Sequence, residues 1–101
     1  MYKIDFSKRF KKEYKRAIRQ GKQDKIDSLI EKLANDEALE PKHKDHALQG
    51  KYTGYRECHI EPDLLLIYKK QDDILVLVCF RLGSHSELFS QEQVKDMYLM
   101  A

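Results

Sequence analysis

The run "ILVLVCFRL", residues 74–82, is the feature that most limits how this 101-residue chain can fold. Its apolar residues do not alternate with polar ones, so a strand built from it is apolar on both faces. Such a strand needs neighbours on both sides and apolar cover. The run therefore predicts a central strand in a sheet that helices cover.

Three further strands are predicted around this run. Residues 2–6, "YKIDF", alternate and predict a short edge strand, whereas Tyr52–Ile60 and Leu64–Lys69 precede the run as an antiparallel meander. Pro62 and the segment 71–73 mark its turns. Residues 36–50 show no consistent period and predict an ordered loop.

Two amphipathic helices are predicted in the N-terminal third. Ser7 is a suitable N-cap, because its hydroxyl can accept from a free backbone N–H, and Gly21 is a suitable stop. Each helix carries one apolar stripe: Phe6, Phe10, Tyr14, Ala17 and Ile18, then Ile26, Leu29, Ile30 and Leu33. The predicted fold is α+β in one domain, residues 1–101, with the order β-α-α-β-β-β: an antiparallel sheet with an N-terminal helical hairpin packed on one face.

Several classes of protein are excluded by the composition. No apolar run approaches the ~18 residues of a membrane helix. The N-terminus "MYKIDFSKRF" lacks the apolar segment of a signal peptide. We therefore expect a cytoplasmic protein without a membrane partner. In that compartment Cys58 and Cys79 should be free, buried thiols.

The charge is unevenly spread, although the net charge is only +2. Residues 1–25 hold ten Lys/Arg against three acids, and residues 42–56 hold four against one. These two segments could form one positive surface for a polyanion, and a solvated helix face explains the same pattern equally well. The candidate contacts on the first helix are Lys11, Lys12, Lys15, Arg16 and Arg19.

The residues suited to chemistry cluster in the second half of the chain: His46, Glu57, His59, Asp63, Arg81 and His85. Residues two apart in a strand share a face, which puts Glu57 beside His59. The meander brings its first turn and the end of its last strand to one edge, where Asp63 and His85 can meet His59. Two imidazoles can act as base and acid when an RNA 2′-hydroxyl attacks its phosphate, and Arg81 can steady the charge without a metal.

Other interpretations stay open on these residues alone. Each histidine could simply be solvated, and His43 is interpreted that way because lysines flank it. His43 and His46, with His59 or Cys58, could instead bind a metal, although this spacing is a weak signal. Asp63 could only stabilise its turn, and Arg81 could pair with Glu57 or Glu61.

A specific family resemblance is carried by "KDHALQGKYTGYRECHIEPDLLLIYK" and "FRLGSHSELF", residues 44–69 and 80–89. The segments resemble the YafQ branch of the RelE family of bacterial type II toxins, which cut mRNA. The family's motifs are K-D-H-x-L-x-G, G-x-R-x-x-H-x-x-P-D and R-x-G-x-H-x-x-L-F, and this chain has all three in order. It departs from them at Leu64, where an aromatic residue is common, and at Glu57, where Asp is common.

The resemblance implies an endoribonuclease that acts on mRNA in the A site of the 70S ribosome, with an antitoxin as partner and no cofactor. It implies catalytic His46, His59, Asp63 and His85, with Arg81, Phe89, Lys44 and Lys51 binding phosphate or RNA. We assign His85 as general acid and His46 as general base. The basic residues of the first helix would contact ribosomal RNA. The alternative is a non-enzymatic RelE/ParE-fold toxin or binding module, for example one directed at gyrase. Residues 90–101 extend past the resemblance, and their function is open.

Overall fold

The chain is described here by a computed structural model of residues 1–90. Its helices and strands are β1 (Lys3–Phe6), α1 (Lys8–Arg19), α2 (Gln23–Ala34), β2 (His46–Ala47), β3 (Arg56–Glu61), β4 (Leu64–Gln71) and β5 (Val76–Gly83). Single 3-10 turns lie at Pro41–His43 and Gly50–Tyr52, and a π-helical turn at Ser86–Ser90 follows β5. Apart from Ser90, the predicted extension lies outside the described residues.

The strands form one five-stranded sheet in the order β1-β5-β4-β3-β2. β3, β4 and β5 form the predicted antiparallel meander, and β2 is antiparallel to β3, but β1 runs parallel to β5. The sheet is therefore mixed, and the prediction of a wholly antiparallel sheet is wrong at this edge. About two thirds of the chain separates β1 from β5, so no tight turn dictates their relative direction. The α+β class and the three-stranded meander are confirmed.

The first helix, α1, begins and ends for the reasons that the sequence suggests. The Ser7 hydroxyl accepts from the Phe10 N–H at 3.0 Å, which caps α1. Gly21 adopts a φ of +77° just past α1, a conformation that glycine tolerates without strain. The two apolar stripes meet the sheet as a helical hairpin on one face. Neither described helix has the length and apolar character to span a membrane.

The main core lies between this hairpin and the facing side of the sheet, which we call the helix face. It is formed by alternate residues of the strands and the helix stripes, all buried: Phe10, Ala17, Ile26, Leu29, Ile30, Leu33, Ala34, Cys58, Ile60, Leu64, Leu66, Tyr68, Leu77, Cys79 and Leu82. Both cysteines are free and buried, as expected. Leu64 belongs to this core, so its side chain packs beneath the helices and not on the opposite side of the sheet.

β5 is internal, as predicted, but β4 is the central strand. The helices cover only one side of the sheet. On the opposite side, the far face, a smaller cluster of Tyr52, Leu65, Ile67 and Leu88 supplies the apolar cover. β5 also begins later than predicted, because Leu75 adopts a φ of +53° and belongs to the preceding turn.

The segment before β3 differs most from the prediction. Two residues of the predicted loop, His46–Ala47, form β2 and pair with β3. The predicted strand beginning at Tyr52 starts only at Arg56, since Gly50–Tyr52 form a 3-10 turn and Gly54 has a φ of +95°. This turn folds the Tyr52 side chain onto the far face, where it is buried.

A β-bulge in β5 determines which way two side chains point. Ile67 pairs with Arg81 and Tyr68 pairs with Cys79, so Phe80 is the extra residue. Phe80 and Arg81 therefore both point to the far face, whereas Cys79 and Leu82 on either side face the helices. Strict alternation would have sent Phe80 and Arg81 in opposite directions.

Candidate functional site

The candidate residues lie in two neighbouring rows across the far face. In one row His46, Glu57, Ile67 and Arg81 are paired successively on β2, β3, β4 and β5. In the next row His59 pairs with Leu65, which pairs with Gly83. Paired residues share a face, and neighbouring strands are about 4.8 Å apart.

A buried carboxylate lies between two of the imidazoles. Glu57 Oε1 is 3.4 Å from His59 Nε2 and 3.8 Å from His46 Nε2. The Glu57 side chain is only 5% exposed, whereas that of His46 is 51% exposed. The imidazoles attract this carboxylate as ions only when they are protonated. Glu57 can therefore hold both rings and stabilise either one after it gains a proton.

His46 is positioned by an anchor on the opposite side of the sheet. Its neighbour Asp45 accepts from the Tyr68 hydroxyl at 2.7 Å and from Arg56 Nε at 3.2 Å, on the helix face. Successive residues of an extended chain point to opposite faces, so this anchor directs His46 to the far face. His46 Nδ1 donates to the Lys44 carbonyl at 2.6 Å, since a carbonyl can only accept. Nε2 is therefore the nitrogen available to take a proton.

The same contacts change the protonation of the anchoring side chains. Burial and the hydrogen bond to Asp45 raise the pKa of Tyr68 above its usual value, because both disfavour the phenolate. Burial lowers the pKa of Arg56, but hydrogen bonds to Tyr68 and Asp45 outweigh it and leave the pKa raised. Tyr68 therefore stays a donor and Arg56 a cation over the whole physiological pH range.

His43 is not the solvated side chain that the sequence suggested. It is half-buried, and its Nδ1 donates to the His59 carbonyl at 2.6 Å. This bond fixes the 3-10 turn Pro41–His43 against the end of β3. The interpretation from its lysine neighbours is wrong because sequence neighbours do not report contacts made 16 residues away.

Arg81 pairs with neither Glu57 nor Glu61 but with Glu13 of α1. Its Nε lies 3.2 Å from Glu13 Oε1, its Nη2 lies 3.0 Å from Oε2, and Nη1 reaches the Tyr52 hydroxyl at 3.4 Å. Burial lowers the pKa of Arg81, but the pairing with Glu13 outweighs it, and the pKa is raised. Glu13 also accepts from the Leu82 N–H. The guanidinium is therefore held in one orientation.

Arg81 also lines an open groove of about 460 Å³ beside α1. The other charged residues of this groove are Arg9, Lys12, Glu13, Arg16 and Glu87. Four cations outnumber two carboxylates there, so the groove favours an anion such as phosphate.

His85 follows β5 in a turn that caps itself. The Ser84 hydroxyl accepts from the Glu87 N–H at 3.2 Å, and Glu87 Oε1 accepts from the Ser84 N–H at 2.9 Å. The Ser84 N–H lowers the pKa of Glu87, and Arg16 adds to this at 2.8 Å. A Cβ on Gly83 would lie 3.1 Å from Glu87 Oε1, so glycine leaves room for this cap.

The His85 side chain is exposed and packs on Phe89, with ring centroids 4.8 Å apart. Phe89 is itself held edge-on by Tyr52 at 5.6 Å. Residues 84–89 thus present an imidazole whose position depends on an aromatic support and a capped turn.

The imidazoles do not all touch one another. Gly83 and His59 lie on either side of Leu65, about 10 Å apart from the strand spacing. Asp63 and His85 both lie two residues beyond this row, at the same end of the sheet. Asp63 is exposed in its turn, and within residues 1–90 it has no side-chain partner. The structure thus brings His46 and His59 together, and a gap over Leu65 separates this pair from His85. Asp63 lies at the same end of the sheet as His85.

The predicted basic contacts are divided among several surfaces. Lys12 and Arg16 line the Arg81 groove, whereas Lys11 and Lys15 border an apolar groove with Phe6 and Phe10. Arg19 is exposed near the end of α1, and Lys51 is exposed in the 3-10 turn. Lys44 and Lys42 instead lie opposite α2. These basic residues therefore do not form one continuous positive surface that joins α1 to residues 42–56.

The metal alternative also has no support in the arrangement of side chains. Within residues 1–90, no three His, Cys, Asp or Glu side chains are grouped as metal ligands. Cys58 faces the helices, and Nδ1 of His43 and of His46 is taken by a carbonyl.

Comparison with known proteins identifies the family. Residues 2–90 match the family described as the bacterial toxin of type II toxin-antitoxin system, YafQ. This chain belongs to the YafQ family. The mRNA interferase toxin YafQ of Escherichia coli is 40% identical over 88 residues, covering 85% of this chain and 94% of that protein.

Solved structures agree with this YafQ-family assignment. A metal-bound toxin from Helicobacter pylori is 42% identical, with a TM-score of 0.82, over 88% of this chain and all of that one. YafQ in the E. coli DinJ-YafQ toxin-antitoxin complex is 39% identical, with a TM-score of 0.76, over 87% of this chain and 97% of that one.

Sequence reasoning missed three residues that hold the candidate site together. The roles of Glu13 and Tyr52 were invisible, because both contact Arg81 from distant segments. Asp45 had one available signal, its place in the K-D-H motif directly before His46. That signal marked the residue but not its partners Tyr68 and Arg56.

We predict that the Asp45 anchor is strongly coupled to the sheet. In a double-mutant cycle of Asp45→Ala and Tyr68→Phe, the coupling should be about 1.5–3 kcal/mol, typical of a hydrogen bond to a charged group. The measurement is the free energy of urea unfolding. The exposed Tyr14–Asp27 pair, with its O–O distance of 2.5 Å, is the matched control and should couple by under about 1 kcal/mol. Equal coupling in both pairs would remove the anchor from this account.

Proposed function

We propose that this chain is an endoribonuclease that cuts mRNA on the ribosome by acid–base chemistry on the far face. The attacking group is the RNA 2′-hydroxyl next to the cut phosphate, and no metal takes part. His46 is the base, His85 is the acid, and His59, Asp63 and Arg81 support them. Family membership and the relatives' designation as mRNA interferases support the activity, and the side-chain geometry supports the roles.

The observation that carries the proposal is the buried Glu57 carboxylate between His46 and His59. A carboxylate taken from water is costly unless it is paired or hydrogen-bonded. Two imidazoles at 3.4 and 3.8 Å compensate for this fully only when they carry protons. A catalytic site in which an imidazole becomes protonated during the reaction explains why a carboxylate is buried there. A binding module, such as a gyrase-directed toxin, has no need of the arrangement.

The attack begins with proton removal by His46. Neutral His46 keeps its hydrogen on Nδ1, bonded to the Lys44 carbonyl, and takes the 2′-hydroxyl proton on Nε2. The 2′-oxygen then bonds to phosphorus. The resulting imidazolium lies near the Glu57 carboxylate, which lowers the energy of the charged state.

The reaction ends with proton donation by His85. As the bond between phosphorus and the 5′-oxygen breaks, His85 gives its proton to that oxygen. The products are a 2′,3′-cyclic phosphate and a free 5′-hydroxyl. Arg81, with Lys12 and Arg16 in the same groove, attracts the negative phosphoryl oxygens. Phe89 supports the His85 ring and offers an aromatic surface for a base.

The partners follow from the same proposal. Ribosomes and mRNA place the reaction in the cytoplasm. The exposed basic residues Lys11, Lys15, Arg19 and Lys51 contact ribosomal RNA, and Lys44 contacts the mRNA. A cognate antitoxin neutralises the enzyme, as the toxin-antitoxin complex of the E. coli relative suggests.

Expression in cells tests the catalytic roles. Wild type should arrest growth and create new mRNA 5′-ends. His85→Ala and His46→Ala should lower the yield of these 5′-ends at least 100-fold and let the cells grow, because one proton-transfer group usually contributes about 10²–10⁴-fold to the rate. Lys3→Gln is the control, because this exposed side chain lies on the edge strand β1 beside Val76, at the opposite end of β5 from Arg81 and His85. Equal toxicity of all four proteins would show that the imidazoles are not the catalysts.

The chemistry of the cut ends tests the metal-free mechanism. RNA cut on purified ribosomes should carry a 2′,3′-cyclic or 3′-phosphate and a 5′-hydroxyl, because the 2′-oxygen is the nucleophile. A 2′-O-methyl group at the cut nucleotide alone should abolish cleavage there. Products with 5′-phosphate ends, or cleavage of the methylated RNA, would point to an activated water and contradict the mechanism.

A further inference from the structure

A second groove, of about 680 Å³, lies between α2, the turn Pro41–His43 and the end of β3. We call it the lysine groove. Its charged and imidazole lining is Asp24, Lys25, Lys32, Lys42, His43, Lys44, His59 and Glu61. Of this lining the proposed function uses only His59 and Lys44, and the basic face of α1 contributes no residue to it.

The charges of the lysine groove favour an anion. Glu61 is already paired, with Lys22 at 2.9 Å and Lys25 at 3.2 Å, and these cations lower its pKa. Within residues 1–90, Lys32 and Lys44 have no side-chain partner. Lys42 is exposed and has only the exposed Glu40 at 3.6 Å. Three ammonium groups therefore face the groove against one carboxylate, Asp24, that is not already paired with a lysine.

The floor of the groove is apolar, which separates it from a simple patch of solvated lysines. Leu29 and Ile60 form this floor, and Pro62 lies at its rim. The groove is also continuous with the candidate site, because His59 lines it and Asp63 directly follows Pro62. His43 ties the two together through its bond to the His59 carbonyl.

We propose that the lysine groove binds the mRNA strand on one side of the cut phosphate. Lys32, Lys42 and Lys44 bind successive phosphates, and the apolar floor receives a base. This rests on the proposed function, since it extends the path of the same substrate. Cationic grooves with apolar or aromatic floors are the usual sites for single-stranded nucleic acid.

An RNA strand fits the groove better than an acidic protein segment does. The cations lie on two elements, with Lys32 on α2 and Lys42 and Lys44 in and after the turn 41–43, so they border a channel. The channel leads to His59, and a substrate strand must continue away from the catalytic residues in some direction. Binding of an acidic protein segment would not require the channel to lead to His59.

Binding of an uncleavable RNA tests the proposal. The probe is a fluorescent eight-nucleotide 2′-O-methyl RNA, and anisotropy is measured with the purified protein from 50 to 200 mM salt. Lys32→Gln/Lys42→Gln should weaken binding about tenfold at 50 mM and reduce the salt slope by about 1.4, since each phosphate contact contributes about 0.7 for single strands. The control Lys3→Gln/Lys8→Gln removes two exposed charges elsewhere and should leave the slope unchanged.

Three outcomes would overturn the groove assignment. In the first, the wild-type protein does not bind the RNA probe. In the second, the groove variant and the control variant weaken RNA binding equally. In the third, binding of a seven-residue polyglutamate peptide depends on Lys32 and Lys42, whereas binding of the RNA does not. The last result would assign the groove to an acidic protein partner. Because the probe has no free 2′-hydroxyl, its binding does not depend on catalysis. Failure of the groove and failure of the proposed cleavage can thus be told apart.

Discussion

The pairing of β2 with β3, anchored by Asp45, is the constraint on which the site depends. β2 has only two residues, and such a short strand holds its register poorly by itself. Asp45 compensates by bonding to Tyr68 and Arg56 on the helix face, where Tyr68 is part of the main core. The next residue, His46, must then point to the far face, opposite Glu57. The exposed imidazole of His46 is thereby fixed in position by its neighbour's bonds to the core.

The other side of the site is held by the same principle. His85 lies in an exposed turn, but Ser84 and Glu87 cap each other and Arg16 binds Glu87 from α1. Glu13, also on α1, holds Arg81 and the backbone of Leu82. α1 therefore fixes one half of the site and β3 with β4 fixes the other. Leu65 and Leu88 lie between the halves, so an RNA strand would rest on an apolar floor with an imidazole on each side.

Local signals predicted most of the fold, and long-range contacts account for what they missed. Ser7, Gly21 and the helix stripes act over a few residues, so the sequence reveals them directly. The parallel pairing of β1 and the bulge at Phe80 depend on residues far apart in the chain, and no local pattern encodes them. The same holds in the site. The motifs pointed to His46, His59 and His85, but the bond of His43 to His59 and the pairing of Arg81 with Glu13 required the structure.

A crystal structure of the protein with a short 2′-O-methyl-substituted RNA tests the central claim most directly. One phosphodiester should lie across the gap, with Nε2 of His46 on the 2′ side and an imidazole nitrogen of His85 on the 5′-oxygen side. Both should lie within about 2.6–3.2 Å of their reacting oxygens, or one water away. A phosphate that contacts only one half of the site, or binds away from the far face, would contradict it.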